Sequence, residues 1–296
     1  MSERRQPLSR RKWDEMMGKG ALVTGGSSGI GRGIVRMLAE EGFDIVFGHF
    51  QDDANATSLV REVEEASNSR CEAFDGDLTQ SSVVLELARF AVASLGAISV
   101  LVNNAGVTQY TETREASLET IDALYALVFR APVVLTRELS RHMISSQLPG
   151  VVINIASTRA FRAYPQDSVY GGMKAALVRA TESMALDLAP FKIRVNAVAP
   201  GAIRVREDAA FDPFYAALGP RIPQGRVGRP QDVAEVVRWL ISDRAGYVTG
   251  STVRVDGGLI LPGMPEHVPE GFTNYGWGAL SERTLKETSS RSEATP

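Results

Sequence analysis

Cysteine is nearly missing from this 296-residue chain: Cys71 is the only one, which rules out an internal disulfide framework and any multi-cysteine metal site. The three histidines, His49, His142 and His267, are scattered, so no histidine-rich metal centre is expected either. No apolar run approaches the roughly 20 residues that a membrane helix needs. The formal net charge is only −3, which gives no basic field for nucleic acid. A small-molecule partner is expected, with neither nucleic acid nor membrane. What remains is ordinary globular composition, 44% hydrophobic and 23% charged. At this length roughly three-quarters of the unfolded surface can be buried, so a large core is available. A soluble cytoplasmic protein is the default expectation.

The two ends differ from the middle. Residues 1–18 form a basic N-terminal arm with Arg4, Arg5, Arg10, Arg11 and Lys12. A twin-arginine export signal would need an apolar stretch next, and Trp13-Asp14-Glu15 stands there instead. The arm reads as solvated, or as packing on a neighbouring subunit. Residues 262–296 read as a C-terminal extension rich in Gly, Pro, Ser, Thr and Glu. It carries an aromatic cluster of Phe272, Tyr275 and Trp277, and 281–296 reads as a disordered tail. Between them, 19–261 reads as a single domain.

Within that domain short apolar runs alternate with helical periodicity. Strands are expected at Ala21–Thr24, Asp44–Gly48, Cys71–Phe74, Ile98–Val102, Val151–Ala156, Ile193–Val198 and Thr252–Val255. Helices are expected from Ile30 through Leu38 and at 54–66, 81–94, 117–146, 168–188 and 230–242. Regular β–α alternation with apolar strands implies an α/β fold: a sheet of seven mainly parallel strands with helices on both faces.

The first strand runs into Thr24-Gly25-Gly26-Ser27-Ser28-Gly29-Ile30-Gly31, which opens a helix. Glycines at 25, 29 and 31 remove Cβ atoms from a sharp turn. The free N–H groups of the helix N-terminus then favour an anion such as a pyrophosphate. The spacing G-x-x-x-G-x-G, led by threonine, resembles the short-chain dehydrogenase/reductase family. So do Asn103-Asn104-Ala105-Gly106 after the fourth strand and Ser157 after the fifth. Tyr170-Gly-Gly-Met-Lys174 follows thirteen residues later, and Pro200-Gly201 follows the sixth strand. These motifs stand in the family's order over residues 19 to 261. Much of the chain is similar to 3-oxoacyl-[acyl-carrier-protein] reductases and sugar dehydrogenases.

The resemblance implies a Rossmann-type doubly wound sheet and an NAD(P)-dependent enzyme that interconverts a carbonyl and a secondary alcohol. It assigns the acid/base role to Tyr170, the nicotinamide ribose to Lys174 and the substrate oxygen to Ser157. Tyr170 and Lys174 are four apart and share a helix face. A nearby ammonium stabilises a phenolate, which lowers the tyrosine from its ordinary value near ~10 toward neutrality. The cofactor set is expected to be Gly25, Ser27, Ser28, Gly29, Ile30, Gly31, His49, Asp77, Leu78, Asn104, Ala105, Gly106, Tyr170, Lys174, Pro200, Gly201 and Ile203. Asp77 corresponds to an adenine-binding aspartate, although taken alone it reads as a helix cap. Pro200, Gly201 and Ile203 would lie against the nicotinamide carboxamide. Family members are commonly dimers or tetramers, so a homo-oligomer is expected through the helices around 117–146 and 168–188.

An acid at the end of the second strand would select NAD, and a base NADP. His49 and Phe50 occupy those positions, with Asp52 and Asp53 just beyond. The missing acid at 49 tips the balance toward NADP. Two residues depart from the family pattern. Val128 stands where an asparagine usually holds a relay water, and Val205 replaces the threonine that follows the Pro-Gly motif. These departures motivate an alternative, a dinucleotide-binding sensor or structural protein with little turnover, although the Ser–Tyr–Lys set is intact. Arg159, Arg162 and Arg204 lie near the expected substrate position and would bind a carboxylate or phosphate, or else form salt bridges at the rim. The substrate set is therefore Ser157, Arg159 and Tyr170. The stretch 206–226, with Phe211, Phe214 and Tyr215, resembles a variable substrate lid or packs on a neighbouring subunit.

Overall fold

In β1 (Gly20–Thr24) every residue is buried, and its side chains alternate between two cores. Ala21 and Val23 face one core and Leu22 the other. A strand buried on both faces needs helices above and below it. The computed structural model, which describes residues 19–205 and 209–262, supplies them. The basic arm and the C-terminal aromatic cluster lie outside the described residues.

β2 (Asp44–His49), β3 (Cys71–Asp75), β4 (Ile98–Asn103), β5 (Gly150–Ile155), β6 (Ile193–Pro200) and β7 (Thr252–Val255) join β1 in one seven-stranded sheet. Its order is β3-β2-β1-β4-β5-β6-β7, and every pairing is parallel. The Rossmann-type fold expected from the sequence is present. One face is covered by α1 (Gly29–Glu40), α2 (Asp53–Ala66) and α8 (Pro230–Ile241), through Ile34, Leu38, Leu59 and Val237. The other is covered by α3 (Ser81–Leu95), α5 (Ala131–Ser145) and α6 (Ser168–Leu188), through Leu87, Leu135 and Ala185. Among the described residues, no helix is long and apolar enough to cross a membrane.

The stretch 117–146 is not one continuous helix. α4 (Leu118–Tyr125) passes into a π-helical turn at Ala126–Arg130 before α5 begins. Pro132, in the first turn of α5, has no N–H to offer the carbonyl four residues back, at Val128. The ladder therefore widens, and the Ala131 N–H bonds to Ala126 across five residues. This widened turn lies against α6, and it turns Val128 inward.

Strand order places the site. β1 has β2 on one side and β4 on the other, so the connections after β1 and β4 leave in opposite directions. A crevice opens at the carboxyl ends of these strands, where doubly wound sheets take ligands.

Candidate active site

The glycine loop is a cradle that side chains would fill. Gly25 and Gly29 have φ values of 64° and 54°, in the left-handed region. A Cβ on Gly31 would stand 1.9 Å from the Gly25 carbonyl oxygen. Thr24 and Asn104 pin the loop to the end of β4. The Thr24 hydroxyl accepts from the backbone N–H groups of Asn104 and Ala105, each at 2.9 Å. The Asn104 amide donates to the carbonyls of Thr24 and Gly25, also at 2.9 Å. At the N-cap of α1, Ser28 makes no side-chain bond to the helix, so the first N–H groups of α1 have no side-chain acceptor there. Free N–H groups, a positive helix end and no Cβ in the way fit a dinucleotide pyrophosphate.

A cleft of 1040 Å³ runs from this loop across the ends of β4, β5 and β6. Pockets for single ligands reach about 1,000 Å³, so this cleft stands at the upper end of that range. The cofactor residues expected from the sequence line it, with the exception of Gly31. Gly31 lies buried beneath the loop, and its part is to let Gly25 approach. Asp77 borders the cleft but is not a helix cap: its carboxylate accepts from the Thr79 N–H at 2.9 Å and hydroxyl at 2.8 Å in the turn ahead of α3, whose N-cap is Gln80.

At the far end of β2, His49 is buried and its Nδ1 makes no hydrogen bond, although it lies 3.6 Å from Asp75 Oδ1. His49, Asp53 and Asp75 bring one metal-ligand-type atom each within 4.8 Å of one another. Asp75 is already bonded to the Gln51 N–H at 3.0 Å. An acid absent at position 49 is thus present on the neighbouring strand.

At the opposite end Ser157, Tyr170 and Lys174 come together. Tyr170 is 8% exposed, and burial raises its phenol above the ordinary value. Hydrogen bonds with the side chains of Thr108 and Ser157 pull it back down, as does the charge of Arg159. Lys174 is 4% exposed, and burial lowers its ammonium to about 8. Its Nζ donates to the Ile155 carbonyl at 2.6 Å and lies 5.8 Å from the centroid of the Tyr170 ring.

Arg159 forms part of the cleft wall, and its guanidinium is already engaged. It lies 4.6 Å from the centroid of Tyr110 and 4.5 Å from that of Tyr164. Nη1 is 3.0 Å from Asp167 Oδ2, an ion contact without hydrogen-bond alignment. Arg204, at the rim, pairs with Asp212 and lies 5.3 Å from the Tyr215 ring. Arg162 lies 5.7 Å from the Tyr164 ring.

The two departures have definite places. Val128 is fully buried and packs with Leu124 against Tyr170, so the position carries an apolar contact and no water ligand. Val205 stands at the cleft edge over the phosphate loop, where a Cβ on Gly29 would meet its Cβ at 3.1 Å. Beyond β6, Phe214, Tyr215 and Leu218 of α7 (Asp212–Leu218) line the cleft.

Thr108, Tyr110, Tyr164 and Asp167 were not foreseen. Asp167 carried a signal: an aspartate one residue before a helix start is a candidate N-cap, and it accepts from Gly171 N at 3.2 Å. The others stand on loops, where no periodicity marks them.

The comparisons agree with this geometry. Residues 25–260 match the family model described as enoyl-(acyl carrier protein) reductase. A 3beta-hydroxysteroid dehydrogenase of Eggerthella lenta is 35% identical over 256 residues, covering 85% of this chain and 98% of that protein. The crystal structure of an acetoin dehydrogenase from Salmonella typhimurium superposes with TM-score 0.78 at 33% identity, covering 85% of this chain and 99% of the other. A blue fluorescent protein from a metagenomic library, solved in complex with NADPH, gives TM-score 0.76 at 33% identity, covering 83% and 99%. The chain belongs to the short-chain dehydrogenase/reductase family, and is an NAD(P)-dependent oxidoreductase that interconverts a carbonyl and a secondary alcohol.

Proposed function

We propose that the substrate is a neutral ketone, or the matching secondary alcohol, with a largely apolar body, and that Tyr170 moves the proton. The observation that carries this reading is the state of Arg159, whose charge is already matched by Asp167 and two tyrosine rings. A carboxylate entering the cleft would have to displace those partners. Leu127, Tyr110, Tyr164, Phe214, Leu218 and Leu259 supply an apolar and aromatic wall.

When bound, the nicotinamide supplies or accepts the hydride. Tyr170 gives its proton to the substrate oxygen in reduction and takes it back in oxidation. Ser157 donates to the same oxygen: its Oγ already accepts from the Arg159 N–H at 3.2 Å, so its hydrogen is free for Tyr170 or substrate. Lys174 adds a positive charge between the strand end and the phenol, where it can reach a ribose hydroxyl. Gly25, Ser28 and Gly29 hold the pyrophosphate through backbone N–H groups. The Ser–Tyr–Lys roles and the cofactor contacts rest on this geometry together with the family resemblance.

The chain works as a homo-oligomer in the cytoplasm, where nicotinamide pools are found. Two separate exposed apolar sets support assembly: Leu118, Tyr125 and Leu186 around α4 and α6, and Trp239 with Tyr247 beside α8 and β7. Light scattering giving a monomer mass would remove that part.

The test of substrate class is nicotinamide absorbance with NADH and NADPH against paired substrates. Each pair is a neutral ketone and its carboxylated analogue, run on wild type and Tyr170→Phe. Turnover confined to neutral members, and lost in the variant, is expected. Preference for the charged members would refute the assignment.

A further inference from the structure

We propose that Arg159 is a positioning residue for proton transfer: one side chain clamps the first turn of α6 to the segment bearing Ser157 and sets a fixed positive charge beside the Tyr170 phenol. The proposal rests on Tyr170 as the acid/base.

Arg159 engages three side chains at once, one on the loop after β4 and two on its own connection between β5 and α6. Its Nη2 donates to the Tyr110 hydroxyl at 3.1 Å on the loop after β4, and its guanidinium is sandwiched between Tyr110 and Tyr164. Asp167 is its third partner, with a side chain 3% exposed. The other Asp167 oxygen caps α6 through the Gly171 N–H. The backbone closes the same circuit, because the Arg159 N–H holds Ser157 Oγ at 3.2 Å. There is little slack in this arrangement. A Cβ on Gly171 would stand 2.9 Å from Asp167 Oδ2 and 3.1 Å from the Arg159 carbonyl oxygen. The residue after Tyr170 therefore has to be small for the helix to dock on Arg159.

The electrostatic half follows from what surrounds the phenol. From the loop after β4 come Thr108, hydrogen-bonded to Tyr170, and Tyr110, whose own ionisation opposes that of Tyr170. From the segment after β5 come Ser157 and Arg159. The helix itself brings Lys174 and the capping Asp167, while the π-helical turn and α4 bring only apolar Val128 and Leu124. Lys174 loses its charge above about 8. Arg159 is the second cation beside a forming phenolate, and its charge favours that form. In reduction the proton leaves Tyr170 Oη for the substrate oxygen, and the negative charge left on the phenolate is the one Arg159 stabilises.

The experiment compares wild type, Arg159→Met, Arg159→Lys, Asp167→Asn and Tyr170→Phe. It reads kcat and KM for alcohol oxidation against pH, NADH and NADPH dissociation constants by fluorescence, and tyrosinate absorbance of the cofactor-free protein. Arg159→Met should lower kcat about tenfold and move its alkaline rise up by about one pH unit. Cofactor affinity should stay within about threefold, since Arg159 lies away from the phosphate loop. Arg159→Lys should restore part of the pH position. Asp167→Asn keeps an oxygen for the helix cap and unmasks the guanidinium, so its profile should move the other way, to lower pH. Opposite shifts cannot come from general loosening of the fold. Should Arg159→Met fail to fold, the sign for Asp167→Asn decides alone.

An unchanged pH profile in both variants would overturn the proposal. So would a raised KM for carboxylated substrates with unchanged kcat in Arg159→Met, which would make Arg159 an anion receiver. Turnover surviving in Tyr170→Phe would overturn the acid/base reading and the proposal with it. A collapse there beside an unmoved Arg159→Met profile overturns the proposal alone.

Discussion

Lys174 and Tyr170 stand one helical turn apart, yet the Lys174 ammonium is tied to the Ile155 carbonyl at 2.6 Å and lies 5.8 Å from the centre of the Tyr170 ring. Burial lowers it to about 8 from an ordinary 10.5. The unfolded chain thus binds more protons between those values, and this residue's contribution makes the fold more stable as pH rises from about 8 to 10.5. At neutral pH the buried charge is a cost. Lys174→Met should therefore stabilise the protein by about 2 kcal/mol at pH 7, the pKa penalty less one lost hydrogen bond. Activity should be abolished. Thermal unfolding beside a turnover assay checks both; a destabilised variant would show that the Ile155 bond outweighs desolvation.

Because burial raises the Tyr170 phenol, its protonated form dominates at neutral pH. Ketone reduction, which needs the proton, should hold across neutral pH and decline on the alkaline side. Alcohol oxidation, which needs the phenolate, should climb over the same range. Parallel slopes in the two directions would point to a different titrating group.

Gly31→Ala should weaken NADH binding by about a hundredfold or more, because the new Cβ meets the Gly25 carbonyl and must displace the phosphate loop. Gly172→Ala is the control: nothing lies within 4 Å of the added methyl. Within α6 that change should stabilise by about 0.5–1 kcal/mol. Fluorescence titration and thermal unfolding separate the two effects.

Arg194 is buried on β6 and lowered to about 10 by that burial. Its guanidinium donates to the carbonyls of Leu240 at 2.6 Å, Ser242 at 3.3 Å and Val248 at 3.2 Å. It thus serves as the C-terminal cap of α8. Arg194→Met takes a donor from each, but the Val248 carbonyl keeps the Asn196 amide and the Ser242 carbonyl keeps the Ala245 N–H, so the loss centres on Leu240 and should cost about 1–3 kcal/mol, read as a lower urea midpoint.

His49→Arg should tighten NADPH relative to NADH by about tenfold, one charge-assisted bond to the 2′-phosphate. Dissociation constants for both nucleotides test this. An unchanged ratio would place the ribose away from the end of β2.

Strands and motifs were legible because each is a local pattern. A run such as Val100-Leu101-Val102 reads as buried strand whatever surrounds it, and Thr24 to Gly31 carries its turn and helix start in eight consecutive residues. The break at Ala126–Arg130 was harder to see. Pro132 is visible, but proline is tolerated in a first helical turn, and only packing against α6 shows that a widened turn precedes it. The charge around Tyr170 was read from Lys174, four residues away. Arg159 reaches the same phenol from another strand end, a proximity with no trace in spacing.

The sequence by itself determined the strands and helices, their alternation and the glycine loop, because these depend on side-chain periodicity and on a few consecutive residues; the Ser157–Tyr170–Lys174 set was read from the resemblance to the family. Only the tertiary structure decided how those groups are charged and held. It ties Lys174 to a carbonyl, sandwiches Arg159 between Tyr110 and Tyr164 against Asp167, and turns Val128 onto the phenol. The reason is physical: burial and Coulomb interaction depend on distance through space, and loops folded across a sheet bring together residues far apart in the chain.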